Sequence, residues 1–237
     1  MKKRGSHVGV MLSFVIFLTF FIFLYTIIEP VIRTQEDKQA LSDYLGTELI
    51  KMSFANMTTF SIKINEDINQ NKDCIKLKKI IGEVTDETDL IIKDEFGNIL
   101  NYSVQGQDLN IGTGYFFNGF LRIYYSEEFE PFQIFTGIGC DSVSDISVGL
   151  MKTEKNVFIT KIINLIDRYE NSYEDLKDEL KVPPGSEFSF SFTQSNGTII
   201  GVEDKEVSTN IYSEDVPVQY INKEGNFLSG FFNIKVW

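Results

Sequence analysis

The longest pattern in the chain is an uninterrupted apolar run near its N-terminus. Val8 to Ile28 contains no charged residue, and its apolar side chains would cover every side of a helix. Since a helix rises about 1.5 Å per residue, a run of this length crosses the roughly 30 Å hydrocarbon core of a bilayer. The sequence therefore predicts a transmembrane helix at 8–28, after a basic leader at 1–7.

Charges on either side of the run predict its orientation. Lys2, Lys3 and Arg4 precede it, whereas the residues after it mix both signs. The positive-inside rule then keeps the N-terminus in the cytoplasm and the residues beyond the run outside the cell. The alternative is a cleaved secretory signal peptide, but the run exceeds its usual apolar core of about 7–15 residues, and no small-x-small cleavage site follows.

Residues 29–52 continue the helical pattern with a single apolar stripe. Its members recur at spacings of three and four, while the other face is charged. An apolar stripe needs a partner, so we expect this half of the helix to lie against a folded domain. Gly46 should weaken the helix by up to about 1 kcal/mol. The residues expected to pack are Leu41, Tyr44, Leu45 and Leu49, with Met52 at the end of the stripe.

Beyond Met52 the pattern is typical of strands and turns. Phe188, Phe190 and Phe192 alternate strictly before an Asn196-Gly197 turn, which predicts a hairpin. A second hairpin is predicted in DLIIKDEFGNILNYSV, and further strands in YFFNGFLRIYYS and the closing GFFNIKVW.

Two helices interrupt the predicted strands. One is expected from about Glu154 to Glu170, where Val157, Ile162 and Ile166 recur at helical spacing. A shorter one, YEDLKDEL, follows Ser172, whose side chain is expected to cap it. The fold class is therefore α+β: a transmembrane helix with an amphipathic extension, then one mainly antiparallel external domain at 53–237.

Charge and cysteines limit what this external part can do. The chain carries a net charge of -12, but residues 1–33 hold four basic and one acidic side chain, +3, which leaves -15 for the rest. Such an acidic surface disfavours nucleic-acid binding. Cys74 and Cys140 both follow the apolar run, so in an oxidising space they could form a disulfide, and two buried free thiols are the alternative.

The sequence offers no catalytic or metal centre to assign. His7 is the only histidine and lies beside the membrane segment, so the external part lacks the imidazole of a serine or cysteine triad and of common zinc sites. Neighbouring carboxylates such as Glu127, Glu128 and Glu130 are interpreted as solvated surface, and Asp141 to Asp145 lacks the spacing of a calcium loop. We expect no enzyme activity and no cofactor. Three sequons, at Asn56, Asn101 and Asn196, are candidate glycosylation sites.

The N-terminal residues resemble the class III signal peptide of type IV pilins and archaellins, particularly archaeal pilin-like proteins. The resemblance covers the basic Lys2 to Arg4, Gly5 directly after them, the apolar helix and its extension toward Met52. Bacterial members usually carry Glu at the fifth mature position, where this chain has Val10, and archaeal members often lack that Glu.

The resemblance implies cleavage between Gly5 and Ser6 by a prepilin peptidase, which spares the apolar helix. Such helices pack with those of other pilin-like subunits in a filament, so the expected function is assembly or adhesion at the cell surface. The expected partners are the lipid bilayer, other subunits and the peptidase. The alternatives are an uncleaved single-pass protein with an external binding or scaffold domain and, third, an anchored hydrolase.

Overall fold

The computed structural model describes residues 6–66, 72–83, 89–113, 119–130, 135, 139–201 and 210–237. Helix α1, Ser6–Met52, contains 47 residues and is followed by a mainly β domain. The two halves predicted from the sequence are thus parts of one helix. Gly5 lies outside the described residues.

The strands and helices of the domain follow in chain order. The strands are β1 Phe54–Ile64, β2 Cys74–Leu77, β3 Leu90–Lys93, β4 Ile99–Leu100, β5 Tyr102–Gln105, β6 Asp108–Gly112, β7 Phe120–Tyr125, β8 Asp141–Val143, β9 Ile146–Val148, β10 Lys152–Phe158, β11 Phe188–Thr193, β12 Ile199–Gly201, β13 Tyr212–Ile221 and β14 Phe227–Val236. The helices are the short α2 Ile80–Glu83, then α3 Ile159–Asn171 and α4 Tyr173–Glu179.

The described strands of the domain form two sheets. The larger has the order β12-β11-β14-β13-β10-β1-β7-β3-β4, and β9 also pairs with β1. The smaller has the order β5-β6-β2-β8. Pairing is antiparallel except between β10 and β13 and between β2 and β8. The α+β class and the mainly antiparallel pairing predicted from the sequence are therefore confirmed.

Each half of the large sheet has its own core. On one half, α1 and α3 pack against β11, β13 and β14, and the core includes Leu45, Leu49, Ile162, Leu165, Phe188, Phe192, Phe232 and Ile234. The other half faces the small sheet, and that core includes Phe60, Ile62, Ile75, Leu77, Ile92, Leu109 and Ile123. A smaller cluster lies between them, formed by Met57, Ile91, Tyr124, Phe129, Phe158 and Ile221.

Helix α4 is held to the end of β11 by one tyrosine. The Tyr173 hydroxyl donates to the carboxylate of Glu187, which also pairs with Lys177. Burial, followed by the Glu187 hydrogen bond, raises the pKa of Tyr173 well above its ordinary value.

Several local predictions hold and two are wrong. Strands β11 and β12 form the predicted hairpin, β3 and β4 form the second, and β14 is the closing strand. The helix predicted from Glu154 instead begins at Ile159, because residues 152–157 pair with β1. Ser172 precedes α4 but its side chain makes no capping hydrogen bond, so the predicted cap is not formed.

Candidate functional site: the N-terminal helix and its seat on the sheet

The first half of α1 is an apolar segment that the described remainder of the chain leaves uncovered. The segment Gly9–Glu29 is long and apolar enough to cross a membrane, and none of it is buried against the domain. Phe14 and Ile22 are about 60% exposed (61% and 60%). So much exposed apolar surface is costly in water, which is typical of a segment that contacts an apolar environment.

Two threonine hydroxyl groups in this segment find partners within the helix. Thr19 donates to the carbonyl of Ile16 at 2.9 Å, and Thr26 to that of Phe23 at 2.9 Å. An unpaired hydroxyl would be costly in hydrocarbon, so these two bonds lower the cost of placing the threonines in an apolar environment. Tyr25, near the end of the segment, suits the membrane interface, where tyrosine is enriched.

The second half of α1 lies on strands β13 and β14. Leu45 and Leu49 are fully buried there, while Leu41 and Met52 pack at the margin of the same core. The predicted partner of the apolar stripe is therefore a sheet of the same chain. The helix is fixed to the domain by its own side chains rather than standing free as a stalk.

A glycine lets the helix approach the sheet closely. A Cβ placed on Gly46 would lie 3.1 Å from Cγ2 of Val216 and 3.2 Å from Cδ1 of Ile234. These distances are shorter than ordinary van der Waals contacts, so a larger side chain would push helix and sheet apart. The expectation that Gly46 only weakens the helix missed this packing role.

Two polar contacts fix the register of the helix on the sheet. The hydroxyl of Ser42, which is fully buried, donates to Oε2 of Glu214 on β13 at 2.9 Å. One turn earlier, Nζ of Lys38 donates to the carbonyl of Asn210 at 2.6 Å. Because a buried hydroxyl needs a partner, Ser42 disfavours any sliding of α1 along β13.

Tyr44 was assigned to the packing face, and that assignment is wrong. Its side chain is 38% exposed, whereas the small residues Ser42 and Gly46 are buried on the face that meets the sheet. The helix is turned so that its closest contact with β13 uses small side chains. This leaves Tyr44 on the outer flank.

Beyond the helix, a buried serine turns the chain into the sheet. The hydroxyl and backbone N–H of Ser53 both donate to the carbonyl of Leu49, and the Ser53 carbonyl accepts from the N–H of Phe158. Helix α1 thus ends directly on strands β1 and β10, which leaves no flexible linker between helix and domain.

The two cysteines form a disulfide. Cys74 and Cys140 are joined with a Cα–Cα distance of 4.8 Å and a sequence separation of 66. The bridge lies at the end of the small sheet, where Cys74 begins β2 and Asp141 begins β8. The alternative of two free thiols is therefore wrong.

All three sequon asparagines are exposed. Asn56 lies on β1, Asn101 lies between β4 and β5, and Asn196 lies in the β11–β12 turn. In that turn Oδ1 of Asn196 accepts from the N–H of Thr198, and Gly197 supplies the positive φ of 82°. The side chain of Asn196 therefore stabilises the turn by accepting this hydrogen bond, while Gly197 adopts the positive φ.

Several acidic residues of the domain pair with separate basic or donor groups. Glu128 pairs with Lys161 at 2.8 Å and Glu130 with Lys223, so these two neighbours point to different cations. Asp145 accepts from Asn65, and its backbone N–H donates to Glu66. Within the described part of the chain, histidine, cysteine and acidic side chains form no metal-holding group of three or more.

Two buried polar features had no signal in the sequence. Lys93, on an edge-proximal strand, is 7% exposed. Asn110 of β6 is 1% exposed, and its side chain has no hydrogen-bond partner in the described structure. Alternation along a strand could not predict that either side chain is covered, because the covering residues are distant in sequence.

Comparison of the chain with protein-family models, with curated proteins and with solved structures found no match.

Proposed function

We propose that the chain is a membrane-anchored, pilin-like subunit or accessory protein of a type IV pilus-like surface filament. Its leader stays in the cytoplasm, its apolar helix lies in the membrane before assembly, and its β domain faces outward. Cleavage between Gly5 and Ser6 then frees a mature chain that begins at the helix. The domain serves assembly or adhesion, and the proposal needs no catalytic step.

One observation carries this proposal. A single helix, Ser6–Met52, is uncovered over its apolar half and packs one face of its last turns, from Leu41 to Met52, against its own sheet. A plain anchor needs only the first half and a flexible connection. A helix seated on the sheet by Leu45, Leu49 and Gly46 instead joins the domain directly to the apolar segment.

That direct connection matters for assembly. Subunits related by helical symmetry must present the same surface in the same orientation at every step. Apolar halves that pack together build a shaft, and each domain then takes a defined position around it. In a bilayer the same apolar surface contacts lipid, so one helix serves both environments.

The chemistry of the domain fits the outside of the cell. A disulfide joins Cys74 to Cys140, and such bonds persist mainly in oxidising compartments. Both cysteines, and the exposed sequons at Asn56, Asn101 and Asn196, follow the apolar segment. These features support an external domain but are shared by the rival, an uncleaved single-pass scaffold or binding protein.

The experiment that separates the two is a substitution at the cleavage position in the native host. Gly5→Leu places a bulky residue before the proposed cut and should leave full-length precursor in the membrane, with filaments lost by electron microscopy. Gly9→Ala is the matched control for processing, since a Cβ at Gly9 meets nothing within 4 Å. We expect the control to be shortened like the wild type.

Two results would contradict the proposal. One is a wild-type chain that keeps its first five residues in mature membranes, which favours the uncleaved anchor. The other is a Gly5→Leu chain that is processed and assembled as the wild type is.

A further inference from the structure

Lys93 stands out among the buried side chains. It is the only charged residue among those that the structure describes as buried. It lies at the end of β3, and its Nζ lies 5.4 Å from the centre of the Tyr124 ring. Taking an ammonium group out of water is costly unless a carboxylate compensates it.

The partners of Lys93 are carbonyl groups of a distant turn. Its Nζ lies 2.8 Å from the carbonyl oxygen of Gly225 and 2.8 Å from Oδ1 of Asn226. Both belong to the turn between β13 and β14, and no ion pair to Lys93 is present among the described residues. The amine is thus held beside a carboxamide rather than beside a carboxylate.

The turn that carries Asn226 is itself fixed. The N–H of Asn226 donates to Oδ1 of Asn222 at 2.8 Å, and the N–H of Gly225 donates to the Asn222 carbonyl at 3.0 Å. A Cβ on Gly225 would lie 3.0 Å from Cδ1 of Ile91, so the turn sits directly on the strand that bears Lys93. The amine and the carboxamide are therefore positioned before any reaction.

Burial, and then the nearby charge of Arg122, lowers the pKa of Lys93. Both effects increase the fraction of neutral amine, which is the nucleophilic form. The charge of Glu224, on the same turn as Asn226, acts in the opposite direction on the pKa of Lys93.

We infer that Lys93 and Asn226 are the site of an intramolecular amide cross-link. Nζ of Lys93 attacks Cγ of Asn226, a new C–N bond forms, and the bond from Cγ to Nδ2 breaks. The amide nitrogen leaves as ammonia after a proton passes to it from the attacking nitrogen. The step is an exchange of one amide for another and needs no oxidant or cofactor.

The cross-link would join parts of the fold that are far apart in sequence. Lys93 belongs to the half of the large sheet that faces the small sheet, and Asn226 belongs to the hairpin on which α1 is seated. Asn226 is exposed, which gives the released ammonia a path to solvent. Together with the disulfide, this bond would give the domain two covalent ties.

Intact mass measurement of the full chain, reduced and denatured, tests the inference. The expected mass is lower than that of the unlinked sequence by one ammonia, and a digest should yield a branched peptide that contains both Lys93 and Asn226. Lys93→Ala and Asn226→Ala should each remove both signals. Lys78→Ala, which changes an exposed lysine near the small sheet, is the matched control and should keep them.

One variant also tests the chemistry and does not depend on loss of folding. Asn226→Asp keeps the side-chain shape, so its reaction releases water instead of ammonia and yields a product with the same mass as the linked wild type. The inference is overturned if the wild-type chain has the unlinked mass. It is equally overturned if ammonia is lost but the digest contains separate, unbranched peptides with Lys93 and Asn226.

Discussion

The seat of α1 on the sheet can be tested by shortening one leucine. Leu49 is fully buried between the helix and strands β13 and β14. Leu→Ala changes at such sites lower the free energy of unfolding by about 2–5 kcal/mol, and the loss is largest where neighbouring side chains cannot move in to fill the cavity. Because Leu49 is fully buried in the core that α1 shares with the sheet, we expect Leu49→Ala to lower the free energy of unfolding by about 3 kcal/mol.

The assay is urea unfolding of the full chain in detergent, followed by tryptophan fluorescence. Trp237 is the only tryptophan, and its backbone pairs with Glu187 beside β11, so it reports on the half of the domain that α1 covers. Tyr44→Ala is the matched control, because Tyr44 lies on the same helix but is 38% exposed. Its effect should stay within about 0.5 kcal/mol. Equal losses in the two variants would refute the described packing of α1.

Three further predictions concern the packing at Gly46, the disulfide and the pH dependence of stability. Gly46→Leu should destabilise the same half of the domain by at least about 1–3 kcal/mol in the same urea assay, since even a Cβ there meets Val216 at 3.1 Å; unchanged stability would contradict the close approach. Replacing Cys74 and Cys140 together by serine should lower the free energy of unfolding by about 4 kcal/mol, because the disulfide closes a loop of 66 residues. Thermal and urea unfolding measure this change, and a loss below about 1 kcal/mol would contradict a stabilising role of the disulfide. The pKa of Tyr173 is raised in the folded state, so the folded protein keeps the phenol proton at pH values where the unfolded chain releases it. The resulting stabilisation of the folded state is present below about pH 10 and is lost as pH rises further. The free energy of unfolding should therefore decrease less steeply above about pH 10 in Tyr173→Phe than in the wild type, as measured by urea unfolding over a series of pH values. Identical pH profiles of the two proteins would contradict the raised pKa of Tyr173.

Features that depend on local sequence were predictable. The apolar run, the amphipathic stripe around Leu45 and Leu49, and the Phe188 hairpin each encode their structure in neighbouring residues. The β3–β4 hairpin was likewise predictable from the glycine in its turn, Gly97. In each case the period of the apolar positions matches the element that forms.

Features that depend on distant partners were not predictable. Val157 recurs at helical spacing with Ile162, but it lies in β10 because that segment pairs with β1, about a hundred positions earlier in the chain. Tyr44 belongs to the stripe by spacing, yet Gly46 allows the closest contact and therefore sets which face meets the sheet. The burial of Lys93 beneath the β13–β14 turn is likewise created by residues distant in sequence.

We propose that the helix is retained after processing and becomes an assembly element. The N-terminal mass of the native protein, isolated from membranes and from sheared surface filaments, tests this proposal. We expect a mature chain that begins at Ser6 in both fractions, with the apolar segment Gly9–Glu29 intact. A native chain that still begins at Met1, or one cut after the apolar segment, would contradict it.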